Sequence, residues 1–237
     1  MKMREKPSSR ERYLEDMFKI IKENEKFLYQ NAKQIYDEVI ELVNDSIDFL
    51  GFIVKNRQIK ARHTNWAICF FSQHVLMPFS CAIYVNFLIG NLPVCFTQLR
   101  LLTESLAKCF YADLKFCSHL FFMTKLELLE LEMERQNISI SQLMREIDRI
   151  LKIRTQFLDL WKGLSYWVHA KGIVERTVSS IVEGKNVPSW ALVLPINYSQ
   201  DDINEIQELG KEITQFREIL KNALDSWKQL IKSNLSL

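Results

Sequence analysis

Apolar positions recur at three- and four-residue steps along most of this chain, which is the period of an amphipathic α-helix. The first stripe follows Ser8, whose side chain is predicted to form a capping box with that of Glu11. No glycine or proline interrupts the pattern before Gly51. The pattern predicts one very long helix or two consecutive helices, with the polar stretch Lys22–Lys26 as the break. The stripe consists of Leu14, Met17, Ile21, Leu28, Ala32, Ile35, Val39, Leu42 and Phe49.

An uncharged stretch follows, because residues 64–99 contain no Asp, Glu, Lys or Arg. Within it, Trp66–Ile89 predicts a helix bent near Pro78, since proline cannot donate to the helical hydrogen-bond ladder. A helix that is apolar on all sides fits either the fully buried centre of a bundle or a membrane span. Because Pro78 and Asn86 interrupt this single candidate span, we favour the buried core.

The middle of the chain predicts three more helices and one irregular segment. Gly90–Pro93 forms a turn that opens the third helix. A fourth helix starts near Ser118, and a fifth covers Ser141–Val168. Periodicity fails over residues 170–199, where we expect only a short helix near 173–182. The apolar stripes are Leu99, Leu102, Leu106 and Cys109 on the third helix and Phe122, Leu126, Leu129 and Met133 on the fourth.

The last helix shows the most regular pattern. Ser199 and Asp202 form a second predicted capping box. After this capping box, two series of apolar residues each recur every seven positions, as in a bundle seam or a coiled coil. Leu224 and Ile231 widen this stripe, which favours packing within a bundle. The two series are Ile206, Ile213, Leu220 and Trp227, and Leu209, Phe216, Ala223 and Leu230.

Together these elements predict an all-α fold. Six glycines and five prolines in 237 residues leave few turns, so the elements must be long. The predicted architecture is a multi-helix bundle with a long N-terminal helix, a fully buried central helix and a long C-terminal heptad helix. Residues 1–62 hold the N-terminal long helix or helix pair and residues 63–237 the helical bundle, and we expect the two to form one continuous domain.

Charge gives only a weak indication of a nucleic-acid ligand. The formal net charge is +2, whereas dedicated nucleic-acid binders usually carry a strong basic excess. Lys55–Arg62 has four cations and no anion, and a looser basic run lies on the fifth predicted helix. We interpret both as solvated helix faces, with contact to phosphate as the alternative. The looser run consists of Arg145, Arg149, Lys152, Arg154 and Lys162.

The five cysteines lie among apolar neighbours and never form a C-x-x-C pair. This spacing predicts neither a zinc site nor a disulfide framework. Buried free thiols of this kind are typical of the reducing cytoplasm. The charged N-terminus has no apolar segment of the signal-peptide type. The predicted location is therefore the cytoplasm.

The sequence lacks the motifs of the common enzyme classes. H-E-x-x-H, E-x-x-H, G-x-S-x-G, Walker A and dinucleotide fingerprints do not occur, so we predict no metal site and no cofactor. Arg100, Glu104 and Lys108 form a ladder of alternating charge, which is typical of an exposed helix face.

A second cluster lies near the end of the fifth predicted helix. Seven residues at about 100° each bring Lys162 under His169, with Ser165 and Tyr166 between them on nearly the same face. His169 would lie at the C-terminal end of its helix, where the helix dipole favours a protonated imidazole.

The order of these features resembles that of HEPN-like helical proteins. An uncharged helix ends at Gly90, Arg100 precedes Leu101–Glu104, and Leu164–His169 follows. In several prokaryotic branches of that superfamily, Leu-Leu-Arg-x-x-x-Glu is followed by Leu-Ser-x-x-Val-His. The resemblance covers about residues 64–172 and implies a bundle of four or five helices that is commonly dimeric. It also implies that Arg100 and Glu104 are partly buried, hydrogen-bonded and face the fifth helix.

Catalytic HEPN proteins are metal-independent endoribonucleases, many of them toxins or defence effectors, with four to six residues between an arginine and the histidine that follows it. His169 matches that histidine, but Lys162 occupies the arginine position. Lysine neutralises a phosphate without the planar bidentate contact of arginine. The resemblance implies that His169 is a general acid or base, that Lys162 stabilises phosphoryl charge and that Tyr166 positions the substrate. The implied substrate-binding residues are Arg100, Glu104 and Ser165.

Three functions remain open. The first is a HEPN-like cytoplasmic protein that binds RNA or a nucleotide, either without cleavage or as a degenerate ribonuclease. Its implied partners are a second copy of the chain and a cognate antitoxin or other protein, and no membrane is involved. The second is a non-catalytic interaction protein that pairs through its heptad helix. The third is a single-span membrane protein.

Overall fold

The computed structural model describes residues 9–116, 119–168 and 196–235, and within these ranges the chain is helical and contains no β-strand. The predicted all-α, multi-helix bundle is confirmed. The described helices are α1 (Ser9–Asn31), α2 (Lys33–Lys55), α3 (Arg57–Ala61), α4 (Ala67–Phe71), α5 (Met77–Leu88), α6 (Leu92–Lys115), α7 (Phe122–Arg135), α8 (Ile140–Leu151), α9 (Gln156–Val168) and α10 (Ile203–Leu235). Short 3-10 turns occupy His63–Asn65 and Gln200–Asp202, and a π-helical turn, Ser72–Leu76, joins α4 to α5.

The long N-terminal pattern forms two helices, but the predicted break is wrong. The polar stretch Lys22–Lys26 lies inside α1, and the break is at Ala32, whose φ of −146° is not helical. Lysine and glutamate favour the helix, and the central residue, Asn24, is buried and hydrogen-bonded to other segments. Gly51 does not end α2, which continues to Lys55. The cap predicted at Ser8 lies outside the described residues.

The side chain of Asn24 forms hydrogen bonds to the segment that precedes α10, around Ile196 and Tyr198, and to the end of α5. Its side-chain amide donates to the carbonyls of Leu88 (2.9 Å) and Ile196 (2.8 Å), and its carbonyl oxygen accepts from the backbone N–H of Tyr198 (2.8 Å). The predicted turn after α5 is present and has Gly90 at φ +78°. A Cβ there would lie 2.3 Å from the Ile196 carbonyl oxygen, so this close approach requires glycine.

The uncharged helix is buried on one side only. Pro78 lies in the first turn of α5, where its missing N–H is tolerated, and the π-helical turn precedes it. Ile83 and Phe87 are fully buried, whereas the side chain of Val85 is 54% exposed. The predicted burial on all sides is therefore wrong, because α5 packs mainly between α2 and α6 and leaves Pro78 and Val85 exposed.

The predicted fifth helix is two helices, α8 and α9, joined by a turn. Lys152 and Arg154 in this turn both have a φ of +58°, which no helix interior allows. Asp148, which is 2% exposed, accepts hydrogen bonds from the backbone N–H groups of Phe157 (2.8 Å) and Leu158 (3.2 Å) and so starts α9. The sequence pattern missed this break because the apolar period continues across it.

The heptad helix α10 forms the centre of the bundle, where it contacts α2, α6 and α9. All of its predicted heptad positions are buried except Leu230, which is half-buried. Leu224 and Ile231, which widen the stripe, are also buried. The stripe is thus used within the chain, and the described structure leaves no free heptad seam for a coiled coil with a partner.

A buried ion pair lies beside this seam. Lys125 on α7 donates to Asp113 on α6 over 2.9 Å, and both side chains are fully buried. Asp113 also accepts from Trp227 Nε1 (3.0 Å) and from the first two backbone N–H groups of α4. Burial raises the pKa of Asp113, and the charge of Lys125 opposes that shift. Asp113 therefore joins four helices at one carboxylate.

Candidate functional site

The pairing of α6 with α9 brings Trp161 to two of the side chains that the sequence singles out, Arg100 and Glu104. Arg100 Nε donates to Glu104 Oε1 over 3.0 Å, and Trp161 Nε1 donates to the same oxygen over 2.7 Å. The Arg100 guanidinium also lies 5.3 Å from the centre of the Trp161 ring. The side chains of Arg100 and Glu104 are 16% and 27% exposed. The predicted partly buried, hydrogen-bonded pair facing the fifth helix is confirmed, and the exposed ladder is excluded.

One atom of this cluster has no described partner. Arg100 Nη1 is buried and makes no hydrogen bond. A guanidinium donor without an acceptor is costly in a protein interior. Glu104 accepts from both Arg100 and Trp161, so the carboxylate is already committed to the fold. Their predicted contact with substrate remains a prediction.

Lys162, Ser165 and Tyr166 lie on the outward side of α9. Tyr166 is 49% exposed and Lys162 is exposed. The two residues are one helical turn apart and therefore share a face, as predicted. Ser165 Oγ donates to the Trp161 carbonyl over 2.6 Å, so this hydroxyl satisfies its own helix. His169, the proposed acid or base, lies outside the described residues.

Carboxylates border the described part of α9 on both sides. Glu104 approaches from α6, and Glu208 and Glu212 approach from α10. Trp167 Nε1 donates to Glu208 over 3.3 Å. The basic walls that a phosphate-cleaving cleft requires are therefore not formed by these neighbours of α9.

Glu212 is a buried carboxyl that sequence reasoning missed. It is 7% exposed, and its Oε2 atom makes no hydrogen bond within the described structure. Burial raises the pKa of Glu212 to about 7, with Lys211 opposing the shift and Glu208 adding to it. A Cβ at Gly163 would lie 3.0 Å from Glu212 Oε1. In the sequence, the isolated Gly163 within a helical pattern was the one indication that another side chain approaches α9 closely.

Cations gather at the turn between α8 and α9. Lys152, Arg154 and Lys221 line a cavity of about 400 Å³, and none of the three forms an ion pair within the described ranges. Glu218 is the acidic residue that lines the same cavity. Lys152 and Arg154 therefore belong to a turn, not to the solvated helix face that the sequence predicts. Lys221 is on α10, and only the fold brings it here.

A larger cavity of about 530 Å³ lies in the groove between α2 and α10. Arg217 crosses this groove and pairs with Glu38 and Asp45, each over 2.6 Å. Asp48, Glu218 and Asp225 add further carboxylates to its lining. This surplus of acidic groups disfavours a phosphate ligand in the groove.

The described residues show no cluster suited to a metal ion, since no three His, Cys, Asp or Glu side chains converge in these ranges. Four cysteines are described, and all are free thiols, as predicted. Burial raises the pKa of Cys69, Cys95 and Cys109, so these thiols stay protonated and unreactive.

Ala67–Leu88, taken as one continuous 22-residue helix, is long and apolar enough to cross a membrane by length and composition, and 39% of its most apolar window is buried in the protein. The core helices of soluble proteins meet the same criterion. Comparison with known proteins gives no match: no family model, no curated protein and no solved structure resembles the chain closely enough to indicate a relationship.

Proposed function

We propose that this chain is a HEPN-like helical protein that binds RNA or a nucleotide through phosphate. The observation that carries the proposal is the cluster of three cations, Lys152, Arg154 and Lys221, around one cavity at the turn between α8 and α9. Unpaired lysine and arginine side chains are the groups that contact phosphate oxygens. A single acidic residue, Glu218, leaves the cavity with a surplus of positive charge.

The backbone of this turn supports a role in binding. Lys152 and Arg154 both hold a left-handed conformation that glycine adopts at less cost. A turn that served only to end one helix and begin another would be more stable with glycine at such positions. Two basic residues at positions that favour glycine support the proposal that their side chains take part in binding.

The second part of the proposal concerns cleavage and uses the outward face of α9. If the protein cleaves RNA, His169 acts as general acid or base and Lys162 neutralises phosphoryl charge, with Tyr166 beside them. The carboxylates that border α9 lower the affinity of this face for phosphate. We therefore propose that binding is the principal activity and that cleavage requires a second copy of the chain to complete the site.

Binding is tested by fluorescence anisotropy with a labelled single-stranded RNA and, separately, a labelled ATP analogue. We expect Lys152→Ala/Arg154→Ala and Lys221→Ala to weaken binding and to reduce the slope of log affinity against log salt by roughly one per lost phosphate contact. The matched control is Lys22→Ala/Lys26→Ala, which removes two exposed cations from α1. Equal weakening by the control would mean that the turn is not a site.

Cleavage is tested in a metal-free assay with His169→Ala and Lys162→Arg, alongside thermal melts and light scattering for oligomeric state. Loss of cleavage in His169→Ala with an unchanged melting temperature supports a ribonuclease, and Lys162→Arg should raise the rate by restoring the guanidinium fork. Absence of cleavage in the wild type leaves the protein as a binding module. A monomer at assay concentrations would contradict the role of a second copy.

A further inference from the structure

Independently of the proposed function, exposed and half-buried uncharged side chains of α2 and α5 lie where these two helices meet, although α2 also exposes Asp37, Glu41 and Asp48. Tyr36 on α2 contacts Tyr84 on α5, with ring centroids 6.5 Å apart, and this contact fixes which edges of the two helices meet. On α2, Ile47 and Val54 continue the edge that carries Tyr36, at 11 and 18 residues beyond it. Ile47 and Val54 are 49% and 55% exposed.

On α5 the same side continues outward from Tyr84. Pro78 and Val85 are exposed, and Cys81 and Ala82 are half-buried. None of these side chains carries charge or needs a hydrogen-bond partner. We name the six residues Ile47, Val54, Pro78, Cys81, Ala82 and Val85 the uncharged face. Apolar side chains grouped in this way on a surface mark a contact site more often than apolar residues scattered singly do.

A basic segment begins at the end of this face. Lys55 directly follows Val54, and Arg57, Lys60 and Arg62 come within the next seven residues. All four cations are exposed, and none forms an ion pair within the described residues. Residues 49–103 contain no Asp or Glu, and the nearest preceding carboxylate is Asp48, which is exposed on α2.

We propose that the uncharged face and the basic segment together dock on an anionic membrane surface, with the helix lying along the membrane and not crossing it. Apolar side chains beside exposed lysine and arginine are what interfacial binding requires, because the former enter the headgroup boundary and the latter attract anionic lipids. A second copy of the chain is disfavoured as the occupant, since its matching stretch would supply cations and no acidic group.

The orientation follows from burial. The opposite side of α5 holds Ile83 and Phe87 in the core, so a spanning arrangement would pull fully buried side chains out of the bundle. Surface docking uses groups that are already exposed or half-buried, and it leaves the fold intact.

The test is co-sedimentation of the full chain with phosphatidylcholine vesicles, with and without one-third phosphatidylserine, at low and high salt. We expect binding only to the phosphatidylserine vesicles and a decrease with salt. Arg57→Glu/Lys60→Glu should lower the affinity at least about 30-fold, because each lost cation near the surface lowers it about fivefold. Ile47→Asp/Val85→Asp should abolish binding without unfolding the protein, since both positions are about half exposed.

The matched controls are Leu131→Asp, at an apolar position that is 61% exposed on α7, and Arg135→Glu/Arg145→Glu, which reverses two exposed cations on α7 and α8. They should bind vesicles as the wild type does. Three results would overturn the proposal: no sedimentation of the wild type with anionic vesicles at low salt, equal loss in the controls, or a dimer that Ile47→Asp/Val85→Asp dissociates in the absence of lipid.

Discussion

Two regions of the bundle differ from what their composition predicts about burial. One is the contact between α6 and α7, and the other is the outward side of α5. Six of the 14 residues of α7 and five of the 24 residues of α6 are charged, and the contact between these helices buries an aspartate and a lysine completely. In contrast, α5 has no charged residue at all, and nonetheless exposes Pro78 and Val85. Charge density along the sequence and burial in the fold are therefore opposed in these two regions.

The difference shows that burial depends on the partners a residue finds. Asp113 is tolerated inside because Lys125, Trp227 and two backbone N–H groups satisfy its oxygens. Val85 stays outside because α2 and α6 pack against other sides of α5 and leave this side chain 54% exposed. An apolar residue needs no partner to remain exposed, whereas a charged residue cannot be buried without one.

The largest effect should come from breaking the buried pair. Asp113→Ala leaves Lys125 charged in the core and removes the acceptor for the first turn of α4, so we expect a loss of about 3–5 kcal/mol in the free energy of unfolding. Chemical denaturation measures it. Asp113→Ala/Lys125→Met should recover much of that loss, because it removes both charges and leaves an apolar contact.

The surface pair of Lys115 and Glu132, which joins the same two helices, is the control for this prediction. Its side chains are 32% and 22% exposed, and Lys115→Met should cost less than about 1 kcal/mol. A similar loss for Lys115→Met and Asp113→Ala would mean that the buried pair has no special role in the fold.

The two sides of α5 should respond very differently to the same truncation. Ile83→Ala removes fully buried carbons and should cost about 2–4 kcal/mol, whereas Val85→Ala on the exposed side should cost less than about 0.5 kcal/mol. Urea denaturation of both variants gives the comparison directly. Comparable losses would show that a further part of the chain or a second copy covers Val85 in solution.

Periodicity in the sequence predicted those elements that depend only on neighbouring residues along the chain. The stripe of the third predicted helix and the heptads of α10 are buried as predicted, because a helix with one apolar side buries that side. Long-range contacts decided the errors. Asn24, in the middle of a polar stretch, is buried and bonds to Ile196, and Asp148 caps the second of the two helices into which one apolar pattern divides.

The candidate site was predictable to a similar extent. Helical spacing was sufficient to place Lys162 and Tyr166 on one exposed face of α9, and the resemblance led to the buried contact between Arg100 and Glu104. Lys221 and Glu212 could not be inferred in the same way, because each approaches α9 or the preceding turn from α10. Their roles follow only from the packing of distant segments.

Glu212 lies between the two extremes of the comparison, since it is buried like Asp113 but has an oxygen with no described partner. Its folded-state pKa of about 7 lies above its ordinary value of 4.5, so folding favours the protonated form. The carboxyl therefore lowers the free energy of unfolding as pH rises from about 4.5 to 7, and above pH 7 the full loss persists. Below pH 4.5 both states are protonated and the effect vanishes.

Glu212→Gln should remove that dependence. We expect the variant to be more stable than the wild type by about 1–2 kcal/mol at pH 8 and nearly equal to it at pH 5, as measured by denaturation at the two pH values. Glu208→Gln is the control, because Glu208 is exposed and accepts a hydrogen bond from Trp167. A constant difference between Glu212→Gln and the wild type at both pH values would exclude titration of this carboxyl as the cause.

The smallest expected effect separates backbone strain from charge at the turn between α8 and α9. Lys152 has a φ of +58°, so Lys152→Gly should relieve strain and stabilise the protein by about 0.5–1 kcal/mol. Lys152→Ala removes the same charge but keeps a side chain in the left-handed conformation, and it should give no such gain. Thermal melts of the two variants measure the difference.

The same two variants, Lys152→Gly and Lys152→Ala, also test RNA binding. Lys152→Gly and Lys152→Ala should weaken RNA binding equally, because both lack the cation at the cavity. A glycine variant that is more stable yet binds less tightly is the result expected if Lys152 is strained and also contacts the ligand. Equal stability of the glycine and alanine variants would show that the turn stores no strain, and unchanged binding would show that Lys152 contacts no phosphate.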